Sequence, residues 1–157
     1  MDAENHLRYL LKLEGIEGEV KTKGYEGTIE IDFDGLDVFG SNHQPSNTAA
    51  PRSGQVNMSG LRLSKAFDKT SAALFRKTLA SSEVIKKVTL TAVSLASQKV
   101  FEMELDTVTV GSWKTGKETR DKENVTLHPL KITLQSFDVQ GKPSSKCTYN
   151  LVDGSIT

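Results

Sequence analysis

The segment Val125-Thr126-Leu127-His128-Pro129-Leu130-Lys131-Ile132-Thr133-Leu134-Gln135-Ser136-Phe137-Asp138-Val139 decides the fold. Its apolar residues recur at every second position, the period of a strand. The phase is not constant. Val125 and Leu127 give way at Pro129 to Leu130, Ile132 and Leu134, and these in turn to Phe137 and Val139. A period-two strand that changes phase holds an extra residue, a bulge, or a bend where it crosses between sheets.

The same signature recurs outward from this segment. Ile29, Ile31 and Phe33 alternate with Glu30, Asp32 and Asp34, then slip at Gly35 to Leu36 and Val38. Val56 and Met58 slip at Gly60 to Leu61, Leu63 and Phe67. Phe101, Met103 and Leu105 slip to Val108 and Val110. His6 to Leu13 places Leu7, Tyr9, Leu11 and Leu13 on one side. Val84 to Ser97 and Thr148 to Val152 complete the strands, and Ala96 to Lys99 reads as a hairpin turn. Long, bulged strands are what a curled double sheet requires. The expected fold is therefore all-β: two packed, curled antiparallel sheets forming a β-barrel. One short α-helix is expected at about 70–80, capped by Thr70 or Ser71 and free of breakers from Ala72 to Ala80. Leu74, Phe75 and Leu79 share one face that would cover a barrel mouth or a sheet edge. So short a helix does not stand alone in water, so it must pack.

A chain of 157 residues is one domain. The Gly40 to Gly54 stretch is a long irregular loop, and a second polar loop runs from Lys114 to Asn124. Lys+Arg and Asp+Glu number 20 each, and zero net charge argues against gripping nucleic acid or an anionic membrane. The zero conceals a pattern: residues 1–40 carry a net −6, 41–100 a net +7, and 101–157 a net −1. Segments of opposite sign on different faces would let copies bind head to tail, and that contact would weaken in high salt. A sheet that interleaves the segments would instead mix the charges. The single cysteine, Cys147, excludes an internal disulfide. No apolar run approaches the ~18 residues of a membrane span. The acidic, polar start from Met1 to His6 is unlike a secretory signal, so cytoplasmic synthesis is expected.

Chemical motifs are sparse. Glu30-Ile31-Asp32-Phe33-Asp34-Gly35 matches the first half of a calcium loop, but Ser41 stands where a bidentate Glu is needed. The solvated face of a strand gives the same spacing. Gly111-Ser112-Trp113-Lys114-Thr115-Gly116-Lys117 approaches a phosphate loop, but Glu118 replaces the required Ser or Thr and no helix follows. His6, His43 and His128 are scattered, without metal-ligand spacing. No catalytic cluster, metal or cofactor is expected, and the chain is read as a non-enzyme.

The stretch Ile16-Glu17-Gly18-Glu19-Val20-Lys21-Thr22-Lys23-Gly24-Tyr25-Glu26-Gly27-Thr28-Ile29-Glu30-Ile31 resembles the opening of the haemolysin-coregulated protein (Hcp) family, the tail-tube proteins of type VI secretion systems. Asp68-Lys69-Thr70-Ser71-Ala72-Ala73-Leu74-Phe75 is similar to that family's Asp-Lys-x-Ser-x-x-Leu element at the start of its helix. Val84 to Thr91, Asn124 to Asp138, Gly141 and Tyr149-Asn150-Leu151 resemble its later strands. The likeness spans roughly Leu13 to Val152.

The resemblance implies a homohexameric ring with a wide channel, and rings stacked into a tube inside a contractile sheath. It implies sheath, spike and baseplate proteins as partners, effector proteins carried in the channel, no nucleic acid, and no membrane insertion. It also implies export to the outside of the cell by sheath contraction, without a signal peptide. The family's long loop reaches neighbouring subunits, which makes Val38, Phe39, His43, Gln44, Arg52 and Gln55, in and beside residues 40–54, the candidate interface. Asp32 to Phe39 departs from the aromatic or serine-rich sequence common at this place in the family, so no channel-lining residue is carried over. The alternative reading is a monomeric β-barrel that binds a small apolar ligand.

Overall fold

In a computed structural model describing residues 6–40 and 56–157, the alternating runs form nine strands and one α-helix. β1 (Arg8–Leu13) lies between β2 (Ile29–Gly35) and β6 (Ile85–Val93). β2 pairs with β5 (Leu61–Lys65), β6 with β7 (Lys99–Thr115), and β7 with β8 (Glu123–Phe137), all antiparallel. β5 returns to β8, from Leu61 opposite Leu127 to Lys65 opposite Glu123, and the six strands close into a barrel. β3 (Val38–Phe39) and β4 (Asn57–Met58) form a separate two-stranded sheet.

The length of β8 explains the layering read from the sequence. Its first half pairs with β5; its second half, on the same edge, pairs with β9 (Pro143–Asn150). The two curled layers are opposite walls of one closed sheet, and β9 extends one wall past the closure. β9 begins five residues earlier than Thr148, and the β7–β8 hairpin is confined to residues 116–122.

Three phase slips fall where the alternation placed them. The β2–β5 register shifts between Phe33 and Gly35, with Gly35 at φ 134°. Gly60 turns at φ 83° before Leu61. Leu105 and Val108 are both fully buried because Thr107 between them sits at φ 51°. For a β-branched residue that conformation costs about 1–2 kcal/mol, and ladder pairs on either side hold it. The fourth slip is displaced. Pro129 keeps the inward position of Leu127, Leu130 is exposed, and the phase changes at Lys131. The proline ring is apolar and fills a core position, so it does not punctuate the strand.

Leu11, Leu13, Ile29, Leu61, Leu90 and Leu127 are among the residues that fill the barrel. Full burial of each is worth roughly 1.5–3 kcal/mol. Leu10 is also buried, but on the outer face, where the glycine-rich stretch 14–28 folds back over β1. That stretch is tied by Gly18 N–H to Gly27 O (2.8 Å) and Val20 N–H to Thr28 O (3.1 Å). A β-carbon at residue 18 would collide with the Thr28 carbonyl oxygen, so only glycine fits. The helix α1 (Ser71–Leu79) sends only Leu74 into the core. Phe75 and Leu79, expected on the covering face, are exposed.

Candidate assembly surface

The short β3–β4 sheet stands over the extended wall of the barrel, and an apolar groove of ≈ 290 Å³ lies between them. Leu36, Val38 and Met58 form one side; Met103, Ile132 and Leu134 rise from β7 and β8 on the other; Cys147 and Tyr149 of β9 complete it. Of the candidate interface residues, Val38 lines this groove, and both Val38 and Phe39 are about half exposed, at 54% and 49%. His43, Gln44, Arg52 and Gln55 lie outside the described residues. The groove's β7, β8 and β9 residues were not anticipated. Ile132 joins the buried core through the phase change at Lys131, whereas Leu134 two residues on is left 46% exposed, and nothing in the alternation marked that difference.

Beside the groove runs the outer edge of β9, the terminal strand of the sheet. Thr148 pairs outward with Thr157 at 2.9 Å, and the Asn150 N–H donates to Ser155 O at 3.0 Å. By the same alternation the backbone groups of Ser144 and Lys146 point outward, where no strand lies among the described residues. An open strand edge is a template for another chain, and alternate side chains beside it set which chain fits.

The far end of the barrel is built on a buried polar cluster. Lys65 follows Leu61 and Leu63 in the inward phase of β5, and Glu123 opposes it in the inward phase of β8; both side chains are wholly buried. The ammonium donates its three protons to Glu123 Oε2 at 2.7 Å, Asp68 Oδ1 at 3.0 Å and Ala66 O at 3.0 Å, with Ser71 Oγ beside them at 3.3 Å. The Ser71 hydroxyl also donates to Glu123 Oε2, and Trp113 Nε1 donates to Glu123 Oε1 at 2.8 Å. Burial works to raise the Asp68 carboxyl. Hydrogen bonds from the Thr70 hydroxyl, Lys65 and the Thr70 amide, with the Lys65 charge, outweigh it and hold the carboxyl below its usual range. The Asp-Lys-x-Ser element is thus the clasp that fastens α1 across the barrel end. Among the described residues no buried side-chain polar atom lacks a partner.

The charged segments interleave. Arg62 pairs with Asp37 (3.3 Å), Lys122 with Asp32 (2.7 Å) and Lys87 with Glu104 (2.8 Å), each joining different thirds of the sequence within one subunit. Part of the net +7 is therefore neutralised by pairs between neighbouring strands of one subunit. The Glu104 hydrogen bond and charge raise Lys87 above its ordinary value. The acids of Glu30 to Gly35 are taken up by strand pairs: Glu30 by Arg8, Asp32 by Lys122, and Asp34 by Ser64. His128 lies across Gly60 and Gly111, where a β-carbon at residue 60 would meet its Cε1 at 2.7 Å. No group of His, Cys, Asp and Glu suited to a metal occurs among the described residues, and no described helix is long and apolar enough to cross a membrane.

The sequence matches no curated protein. Among solved structures, one described as a type six secretion system protein is 20% identical, with TM-score 0.79 over 97% of this chain and 100% of that one. Hcp1 from Salmonella typhimurium is 20% identical, with TM-score 0.75 over 96% and 99%. A type VI secretion system effector from Yersinia pestis is 19% identical, with TM-score 0.70 over 90% and 98%. These likenesses establish a shared fold. The family described as type VI secretion system effector, Hcp, matches residues 10–136, from β1 through nearly all of β8. With the clasp and the closed barrel inside that span, the chain belongs to the Hcp family of type VI secretion system proteins.

Proposed function

We propose that this chain is a structural subunit of the type VI tail tube, six copies of which close into a ring that stacks with others. The observation that carries the reading is the open edge of β9 beside an apolar groove, in a chain of this family. A ring needs two unlike, complementary patches on each subunit. The β9 edge and its groove supply one. Val38 belongs to that groove, and the exposed Phe39 supplies the other, together with His43, Gln44, Arg52 and Gln55 in and beside residues 40–54. Sheath, spike and baseplate proteins are the partners of the assembled tube. Effector proteins travel in its channel, and contraction of the sheath carries the subunit out of the cell. The role is mechanical.

The alternative of a small-ligand barrel gains no support, because Leu, Ile and Val side chains fill the interior and the apolar groove lies outside it. The test is negative-stain microscopy of the purified chain beside Leu134→Glu, which puts a charge into the groove. The reading expects annular particles from the parent and folded single subunits from the variant. Annuli of unchanged abundance in the variant would remove the groove from the interface.

A further inference from the structure

The tube reading leaves the α1 end of the barrel unassigned. There Phe67, Phe75 and Leu79 stand 52%, 44% and 72% exposed. The first two pack edge-on against Trp113, with ring centroids 6.1 Å and 5.0 Å away. The Trp113 N–H is committed to Glu123, so what the indole offers outward is apolar. The clasp fixes this aromatic floor, since Ser71 at the start of α1 and Trp113 both bond Glu123. Along α1 and its flanks cations outnumber acids. Arg76 and Lys77 share a single acid, Glu83, and among the described residues neither the Lys69 nor the Lys86 side chain has an ion pair. Residues 69–86 carry a net +3.

We propose that this face docks an acidic protein segment carrying an aliphatic or aromatic anchor. An apolar, rigid centre with a rim of excess positive charge is the arrangement of a docking site: the centre supplies affinity, and the rim selects and steers the partner. The cations repel a like face of a second copy, and basic segments are repelled as well. The inference does not rest on the ring, but requires only that α1 stay accessible in it.

Trp113 is the single tryptophan and reports directly on its own surroundings. The full chain is titrated with a synthetic, tryptophan-free peptide that alternates glutamate with leucine, and with the same peptide carrying lysine for glutamate. A saturable blue shift of Trp113 emission is expected with the acidic peptide alone. The apparent Kd should weaken roughly tenfold or more in Leu79→Ser, which removes an anchor contact. A comparable loss is expected in Arg76→Glu, whose side chain is 71% exposed, so that the fold stays intact. No shift, equal shifts with both peptides, or unweakened binding in these variants overturns the proposal. A blue shift on concentrating the protein alone would give the face to a second copy and overturn it too. Native mass of the same samples reports ring formation separately, so loss of rings and loss of peptide binding are distinguishable.

Discussion

Replacing Glu123 by alanine removes the nearest partner of a fully buried ammonium. Breaking a buried pair from one side costs about 3–5 kcal/mol. The low end applies, because Lys65 keeps Asp68 Oδ1 and Ala66 O, both at 3.0 Å. The orphaned Trp113 N–H adds about 1 kcal/mol. The expected loss of about 4 kcal/mol is a large share of the roughly 5–15 kcal/mol that holds a domain together. In a domain of this size it lowers Tm by about 8–16 °C. Urea unfolding followed by far-UV circular dichroism at fixed protein concentration measures it. Glu123→Gln keeps an acceptor for Trp113 and should cost about half as much. The pair Lys65→Met/Glu123→Leu should recover about half of the Glu123→Ala loss, since apolar replacements of similar volume remove both desolvation penalties but leave the Trp113 N–H without its acceptor and Asp68 without Lys65. A loss below about 1 kcal/mol in Glu123→Ala, or a double variant as weak as the single, would refute the clasp.

Other outcomes follow from the same geometry. Asp68 is held below its usual carboxylate range, so its stabilisation is full above the unfolded value of about 3.9 and fades as pH falls through the lower folded value. The gap in urea midpoint between the parent and Asp68→Asn should therefore narrow below about pH 4; a gap independent of pH contradicts this. Gly18→Ala forces a β-carbon onto the Thr28 carbonyl and should cost about 2 kcal/mol. Gly24→Ala meets no neighbour and carries only the strain of φ 89°, about 1 kcal/mol, so thermal melts giving the reverse order would contradict the packing. Because ion pairs close within the subunit and the groove is apolar, rings sized by light scattering should survive molar salt. Dissociation there would restore an electrostatic interface.

The barrel was legible because alternation and its interruptions are local. Gly35, Gly60 and the Leu105 to Val108 step marked bends that the backbone then makes. Pro129 misled because its ring was read as a break when it occupies the core. Lys65 and Glu123 went unread for another reason: a charge suggests solvent unless its partner is known, and these two lie far apart in sequence. Their signal was present, since each keeps the phase of its apolar neighbours, Leu61 and Leu63 on one strand and Val125 and Leu127 on the other. The −6 and +7 segments could not be resolved into faces from the sequence, because the ion pairs depend on which strands become neighbours. The groove escaped for the same reason, as β3, β4 and β9 meet only through the closed topology.

The ring is tested most directly by the native mass of the purified, unmodified chain across a concentration series. The account predicts a dominant species of six subunits. A single subunit at every concentration would contradict it.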